Sequence, residues 1–92
     1  MKISEIPLGQ GRTGTVGGQG VAVYRDEGTI IVLDSACPHF GCEVGWNVKE
    51  ENWTCPCHLS RFTRKGDLLS GPAPAGLTSL SFEVEGDEIK VA

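Results

Sequence analysis

Hydrophobic and polar residues alternate along several short segments of the chain, in the pattern of strands with one buried face. No segment keeps a 3.6-residue repeat over three helical turns. Asp26–Gly28 and the segment 85–88 have the composition of tight turns, each between two predicted strands, which indicates two hairpins. The pattern predicts an all-β domain of short antiparallel strands. These predicted strands are 13–16, 20–24, 29–33, 44–46, 52–54, 80–84 and 89–91.

The composition is that of one small globular domain. The chain has 92 residues, 39% of them hydrophobic, with 13 glycines and 5 prolines that favour turns over long helices. We therefore expect residues 1–92 to form a single domain. A core of this size is marginal alone, and such domains often depend on a disulfide or a bound metal.

The charge balance and the absence of long apolar runs exclude several kinds of partner. Eight Lys and Arg residues against twelve Asp and Glu residues give a net charge of −4. That charge does not suit a protein that coats nucleic-acid phosphates. No run approaches the roughly 18 apolar residues of a membrane span. We expect no nucleic-acid partner, no membrane span in this chain and a cytoplasmic location.

All candidate soft metal ligands lie within a stretch of 22 positions. Two loops, 37–42 and 55–60, divide them symmetrically. Each loop offers one thiolate and one imidazole, spaced C-x-H or C-x-x-H, together with a second cysteine. This concentration predicts a bound metal. The residues are Cys37, His39, Cys42, Cys55, Cys57 and His58.

Two kinds of metal centre are compatible with these ligands, a single zinc ion and a two-iron cluster. One tetrahedral Zn²⁺ held by Cys37, His39, Cys55 and His58 would make the chain a zinc-stapled structural or interaction module. Zinc sites with this ligand set usually take both cysteines from one knuckle, however, and two cysteines would be left over. A two-iron cluster explains the mixed loops better, with two thiolates on one iron and two imidazoles on the other.

The two loops resemble the cluster-binding loops of Rieske [2Fe–2S] proteins. Cys37-Pro-His-Phe-Gly-Cys42 and Cys55-Pro-Cys-His-Leu-Ser60 carry the resemblance, and Gly71-Pro-Ala-Pro74 is similar to the family's proline loop. The resemblance implies a Rieske fold of three small antiparallel sheets. It also implies a cluster-binding subdomain at about 35–76, built from the two loops and the proline loop.

The resemblance also assigns roles to individual residues. It implies that Cys37 and Cys55 bind the inner iron of a [2Fe–2S] cluster and that His39 and His58 bind the outer one. It further implies that the Ser60 hydroxyl donates a hydrogen bond to a bridging sulfide of the cofactor.

Two further cysteines match one subgroup of the family, and two other residues differ from the family's usual pattern. Cys42 and Cys57 match the pair that forms a disulfide in the cytochrome bc-type subgroup, a pair that ferredoxins and ring-hydroxylating oxygenases typically lack. Leu59 stands where glycine is usual. Phe62 stands where a tyrosine donates to a cysteine sulfur, so we expect a reduction potential below that of bc-type proteins.

The function implied by this resemblance is one-electron transfer within an oxidoreductase system, with no catalytic residue in this chain. Segments 41–47 and 51–55 are similar to Rieske domains fused to FAD-dependent oxidoreductases. The implied partner is therefore a redox protein or a fused flavin domain. Alternatives are a Rieske ferredoxin or small subunit serving an oxygenase or an arsenite-oxidase-like complex, and the zinc-stapled module.

Overall fold

Short strands joined by tight turns make up most of the molecule. The computed structural model describes residues 1–38 and 41–91, so the predicted ligand His39 lies outside the described residues, with Phe40 and Ala92. One turn of 3₁₀ helix at Ile3–Glu5 precedes the first strand. The strands of the described part are β1 (Gly11–Val16), β2 (Gln19–Asp26), β3 (Thr29–Asp34), β4 (Gly45–Asn47), β5 (Asn52–Thr54), β6 (Arg61–Phe62), β7 (Leu68–Ser70), β8 (Phe82–Glu85) and β9 (Glu88–Val91).

Three antiparallel sheets contain the strands of the described residues. The first has the order β1-β2-β3, the second β4-β5-β6-β7, and the third pairs β8 with β9. Both predicted hairpins are present, with Asp26 paired to Thr29 and Glu85 paired to Glu88 next to their turns. The predicted all-β class with three small antiparallel sheets is confirmed.

The central strand β2 separates two hydrophobic cores. Its four middle residues are all buried, so both of its faces are covered. Because successive side chains of a strand point to opposite faces, Val21 and Val23 pack in one core and Ala22 and Tyr24 in the other. We call the latter the loop-side core. Its buried members are Ala22, Tyr24, Leu33, Cys37, Val44, Trp53, Cys55, Phe62, Ala73 and Leu77.

Both ligand loops begin where a strand ends. The loop 37–42 follows β3, and its two ends are held together by a bridge between Ala36 and Glu43 and by the Val44 N–H, which donates to the Ser35 carbonyl at 2.9 Å. The loop 55–60 leads directly from β5 into β6. Rigid strands therefore fix the start and the end of each loop.

Strands β6 and β7 are absent from the sequence prediction. β6 has only two residues, and the pairing shifts register between Arg61 and Phe62, so no alternation can develop. All three residues of β7 are exposed, which removes the buried–exposed signal. The prediction also places β4 one residue early and shortens β1 at its start. Strands β6 and β7 thus form through hydrogen bonds to neighbouring strands, and the hydrophobic pattern of the sequence does not predict them.

The N-terminal residues are fastened to the turn between β8 and β9. The Ile3 N–H donates to the Asp87 carbonyl at 2.9 Å, and the Ser4 N–H and hydroxyl both donate to the Asp87 carboxylate. The hydrogen bond that the Ser4 hydroxyl donates is the main reason why the pKa of Asp87 is lower than its ordinary value of 3.8. Across residues 1–38 and 41–91, no helix has the length and apolar character needed to cross a membrane.

Candidate metal centre

The two ligand loops share one backbone arrangement. In the first loop, the N–H of Cys37 donates to the carbonyl of Cys42 at 2.7 Å. In the second, the N–H of Cys55 donates to the carbonyl of Ser60 at 2.8 Å. Each bond spans five positions and starts at the cysteine predicted as a ligand. The two halves of the site are therefore built from equivalent turns.

One residue in each loop adopts the left-handed conformation that closes the turn. Gly41, with φ +70°, donates its N–H to the Cys37 carbonyl at 2.8 Å, and Leu59, with φ +60°, donates to the Cys55 carbonyl at 2.9 Å. Glycine adopts this conformation freely, whereas a residue with a Cβ loses roughly 1–2 kcal/mol. The second loop thus has a leucine where the first has a glycine, and that side chain is 62% exposed.

The predicted ligands differ in burial. Cys37 and Cys55 are each 1% exposed and belong to the loop-side core. His58 is exposed at the surface of the second loop. His39 lies outside the described residues. The structure therefore brings the two predicted thiolate ligands into one apolar interior and leaves the described imidazole on the solvent side.

A disulfide between Cys42 and Cys57 joins the two loops, with 6.4 Å between the Cα atoms, and confirms the predicted pairing. The sulfur atoms of this pair and of Cys55 all lie within 4.8 Å of one another. The thiolate is the form of cysteine that binds metals. Of these three sulfurs, only that of Cys55 is therefore suited to be a ligand, and the disulfide acts as a crosslink beside it.

The proline-rich segment 71–76 packs against the second loop. Ser60 is fully buried, and its Oγ accepts a hydrogen bond from the N–H of Ala73 at 3.1 Å. Accepting this bond leaves the hydroxyl proton available to donate elsewhere. Gly71, with φ +101°, lies so close that a Cβ there would overlap the backbone of Ser60. The segment therefore covers Ser60 and orients its hydroxyl.

Two buried aromatic residues lie behind the loops. Phe62 and Trp53 are paired across β6 and β5, and each is 0% exposed. Trp46 packs edge-on against Trp53 at 4.9 Å between ring centroids and donates its indole N–H to Gln10. The indole N–H of Trp53 is buried and has no hydrogen-bond partner within the described part of the chain. The interior behind the predicted ligands is thus largely apolar.

The metal-binding side chains among the described residues fit an iron–sulfur cluster that has both thiolate and imidazole ligands. Thiolates hold the iron of iron–sulfur clusters, and in Rieske centres two imidazoles replace two of them. The buried Cys37 and Cys55 and the exposed His58 suit that division, and Ser60 has a proton to donate. Ala73 and Gly71 also contribute to the site, although they were predicted only as part of the proline loop. A Gly-Pro sequence indicates a turn, but it does not indicate which residues the turn contacts.

Comparison with known proteins identifies the family. The family model described as "Rieske [2Fe-2S] domain" matches residues 1–81. The YhfW protein of Bacillus subtilis (strain 168), named as a Rieske 2Fe-2S iron-sulfur protein, is 38% identical over 84 residues, 90% of this chain. The cytochrome b6-f complex iron-sulfur subunit of Chlorobaculum thiosulfatiphilum is 31% identical over 91 residues, 99% of this chain.

Solved structures agree with this result. The plasma membrane Rieske protein PetC3 from Synechocystis PCC 6803 has a TM-score of 0.74 and 31% identity, covering 89% of this chain and 85% of that one. A ferredoxin of carbazole 1,9a-dioxygenase from Nocardioides aromaticivorans IC177 has a TM-score of 0.72 at 23% identity, covering 100% and 92% of the two chains. That second likeness concerns the fold alone.

The chain spans only part of the relatives found by sequence. It matches 16% of the length of YhfW and 50% of the Chlorobaculum subunit. The zinc-stapled alternative is wrong, because the cofactor of the matched family is an iron–sulfur cluster. From the family match over 81 of 92 residues and the disulfide-linked loops, we conclude that the chain belongs to the Rieske [2Fe–2S] domain family.

Proposed function

We propose that this domain transfers single electrons with Cys37 and Cys55 as the ligands of one iron and His39 and His58 as the ligands of the other. When bound, the cluster supplies the one-electron couple. The protein excludes water from the thiolate side and leaves His58 at the surface, where a partner can approach. The contrast between the two buried cysteines and the exposed histidine is the observation that carries this proposal.

Ser60 has a role in the proposed function that differs from that of the four ligands. Its hydroxyl is buried and held by the Ala73 N–H, so its proton is free to donate to a sulfur atom of the cluster. Hydrogen bonds to the sulfurs of such a centre raise its reduction potential. Ser60 is therefore proposed as a tuning residue and not as a ligand.

The ligand assignment can be tested by metal analysis and spectroscopy of variants. Cys37→Ser, Cys55→Ser and His58→Ala should each lose iron and acid-labile sulfide together. The wild-type protein should be red-brown and give, after reduction, an EPR signal of low average g. Labelling histidine with ¹⁵N should reveal two nitrogen ligands by pulsed EPR.

Pro56→Ala is the matched control, because Pro56 is exposed in the same loop and has no ligand atom in its side chain. Its iron content should equal that of the wild type. Full iron content in Cys55→Ser, or Mössbauer spectra with two equivalent all-thiolate irons, would contradict the assignment.

The physiological setting belongs to the proposal as well. We propose as partner either a separate redox protein or a flavin domain fused to the Rieske domain in a longer chain. The Cys42–Cys57 disulfide supports a bc-type domain over an oxygenase ferredoxin, since the resemblance associates that pair with the bc-type subgroup. Reading the complete open reading frame tests the fused arrangement, and mass spectrometry without reductant tests the disulfide.

Two broader proposals accompany this one. We propose that residues 1–92 are one domain, supported by the bonds of Ser4 to Asp87 at opposite ends of the chain. A single cooperative unfolding transition would agree with it, and two separable transitions would not. A cytoplasmic location stays a prediction, to be tested by cell fractionation.

A further inference from the structure

A groove of about 500 Å³ lies at the start of β3, beside the turn that joins β2 to β3. Half of its lining among the described residues is apolar. These apolar residues are Ile3, Leu8, Ile30, Phe82 and Val84. The side chains of Leu8 and Val84 are 61% and 44% exposed. The groove therefore presents apolar surface to solvent that the fold itself does not cover.

The groove also borders one edge of β3. Within the described part of the chain, β3 is the last strand of its sheet, so β2 pairs with only one of its two edges. On the other edge, the Leu80 N–H donates to the Val32 carbonyl at 3.0 Å, but the chain then leaves β3 to form β8. Ile30 lies two positions before Val32, so its backbone groups face the same edge. Such an edge can pair with an extended segment of another chain.

The net charge of the protein is concentrated around this groove. Segments 1–8, 25–30 and 82–91 include the lining residues and the rest of the β8–β9 hairpin. They carry seven carboxylates against three cationic side chains, whereas the remainder of the chain carries five of each. The whole formal charge of −4 therefore belongs to the surroundings of the groove. A negative surface of this kind complements a cationic partner.

We propose that the groove binds an extended segment of a partner protein in which basic residues alternate with apolar ones. The apolar side chains of that segment pack against Leu8 and Val84, and its main chain pairs with β3 at Ile30. Its basic side chains lie on the opposite face, because successive side chains of a strand alternate. There they are attracted by the surrounding carboxylates, of which Glu27 lines the groove.

This binding site is separate from the proposed ligands. About 17 Å of β3 separates Thr29, which lines the groove, from Asp34 at the other end of the strand. The first ligand loop, 37–42, begins beyond Asp34. A segment bound in the groove therefore leaves both ligand loops accessible. The inference goes beyond the proposed electron transfer and does not depend on it.

The test uses the iron-loaded protein and three synthetic peptides of six residues with blocked ends. Lysine alternates with valine in the first peptide and with threonine in the second, and glutamate alternates with valine in the third. Titration followed by ¹⁵N–¹H NMR measures the affinity and locates the contact. We expect the lysine–valine peptide to bind at least tenfold more tightly than the other two and to shift the amide signals of Gly28, Ile30 and Val84. Added salt should weaken its binding.

Variants separate the apolar contribution from the charged one. Leu8→Asn should weaken binding of the lysine–valine peptide about tenfold, because one leucine contact is lost. Glu27→Gln should weaken it about threefold at low salt, as for the loss of one exposed charge pair. Val48→Asn is the matched control for Leu8, since Val48 is also exposed in a turn, and Glu51→Gln is the control for Glu27. Both controls should bind like the wild type.

Three results would overturn the inference. The first is no binding of the lysine–valine peptide, or equal binding of all three peptides. The second is a set of amide shifts confined to residues outside the groove. The third is a concentration-dependent shift of the groove amides without any peptide, because the occupant would then be a second copy of this chain. The iron content and the EPR signal test the proposed function separately, and none of these results changes them.

Discussion

The Oγ of Ser60 and the backbone N–H of Ala73 are 3.1 Å apart and form a buried hydrogen bond between the second ligand loop and the proline-rich segment. The bond fixes the rotation of a hydroxyl that the proposed function requires to donate to a sulfur. Because Ser60 and Ala73 are 0% and 5% exposed, water cannot readily replace either partner. One contact thus stabilises the packing of the two segments and also holds the hydroxyl to which the proposed function gives a tuning role.

Replacing Ser60 with alanine should affect both properties. The Ala73 N–H would remain buried without an acceptor, which costs roughly 1–3 kcal/mol of unfolding free energy. The reduction potential should decrease, because one hydrogen bond to the cofactor is lost. Urea denaturation and voltammetry measure the two effects. The exposed Ser81→Ala should change neither value, and a potential unaltered in Ser60→Ala would contradict the tuning role.

Replacing Gly71 with alanine tests the close packing of the proline-rich segment. The new Cβ would overlap the Ser60 backbone in a left-handed conformation, and the two effects together should destabilise the domain by roughly 2–4 kcal/mol. Gly86→Ala is the control, since Gly86 has φ +63° and open space around it. It should cost only roughly 1–2 kcal/mol. Equal losses in thermal unfolding would contradict the contact.

Replacing Phe62 with tyrosine should raise the reduction potential. Phe62 is fully buried in the core that contains Cys37 and Cys55. A hydroxyl that reaches a ligand sulfur would stabilise the added negative charge. Voltammetry provides the measurement, with Phe82→Tyr as a control, since Phe82 is partly buried and packs against the other core. An unchanged potential together with lower stability would mean that position 62 does not face the cofactor.

Removing the Cys42–Cys57 disulfide should destabilise the cluster-free protein by roughly 3 kcal/mol, the value expected for a closed loop of about 15 residues. The loss should be smaller in the iron-loaded protein, because the proposed ligands hold the same two loops together. Urea denaturation of the double serine variant measures both. The same loss in both forms would indicate that the ligands do not link the loops.

The contact between Ser4 and Asp87 predicts a pH dependence. Since the pKa of Asp87 is lowered in the folded state, its carboxylate stabilises the fold above the ordinary value of 3.8. That contribution disappears as the pH falls through the lowered pKa. Asp87→Asn should therefore be less stable than wild type at neutral pH, with the difference in urea midpoint vanishing at low pH. A difference in urea midpoint that does not change with pH would contradict a contribution from the charge of the Asp87 carboxylate.

Most of the chemistry proposed for this chain could be predicted from its amino-acid sequence. Ligand identity is a matter of residue type and spacing, so Cys37, His39, Cys55 and His58 could be proposed from the two loops alone. The resemblance of the two loops to those of Rieske proteins implied the family, and it also implied the Cys42–Cys57 pairing. The longer strands β2 and β3 could also be predicted, because both are rich in hydrophobic residues and a tight turn lies between them.

The contacts that surround the proposed ligands could be recognised only in the folded molecule. Strands β6 and β7 depend on hydrogen bonds to neighbouring strands, because β6 has only two residues and all three residues of β7 are exposed. The bond from Ala73 to Ser60 joins residues 13 positions apart. The left-handed backbone of Leu59 is set by the closure of its loop, which overrides the local preference of leucine. Such features arise from packing between distant segments, and local pattern does not record them.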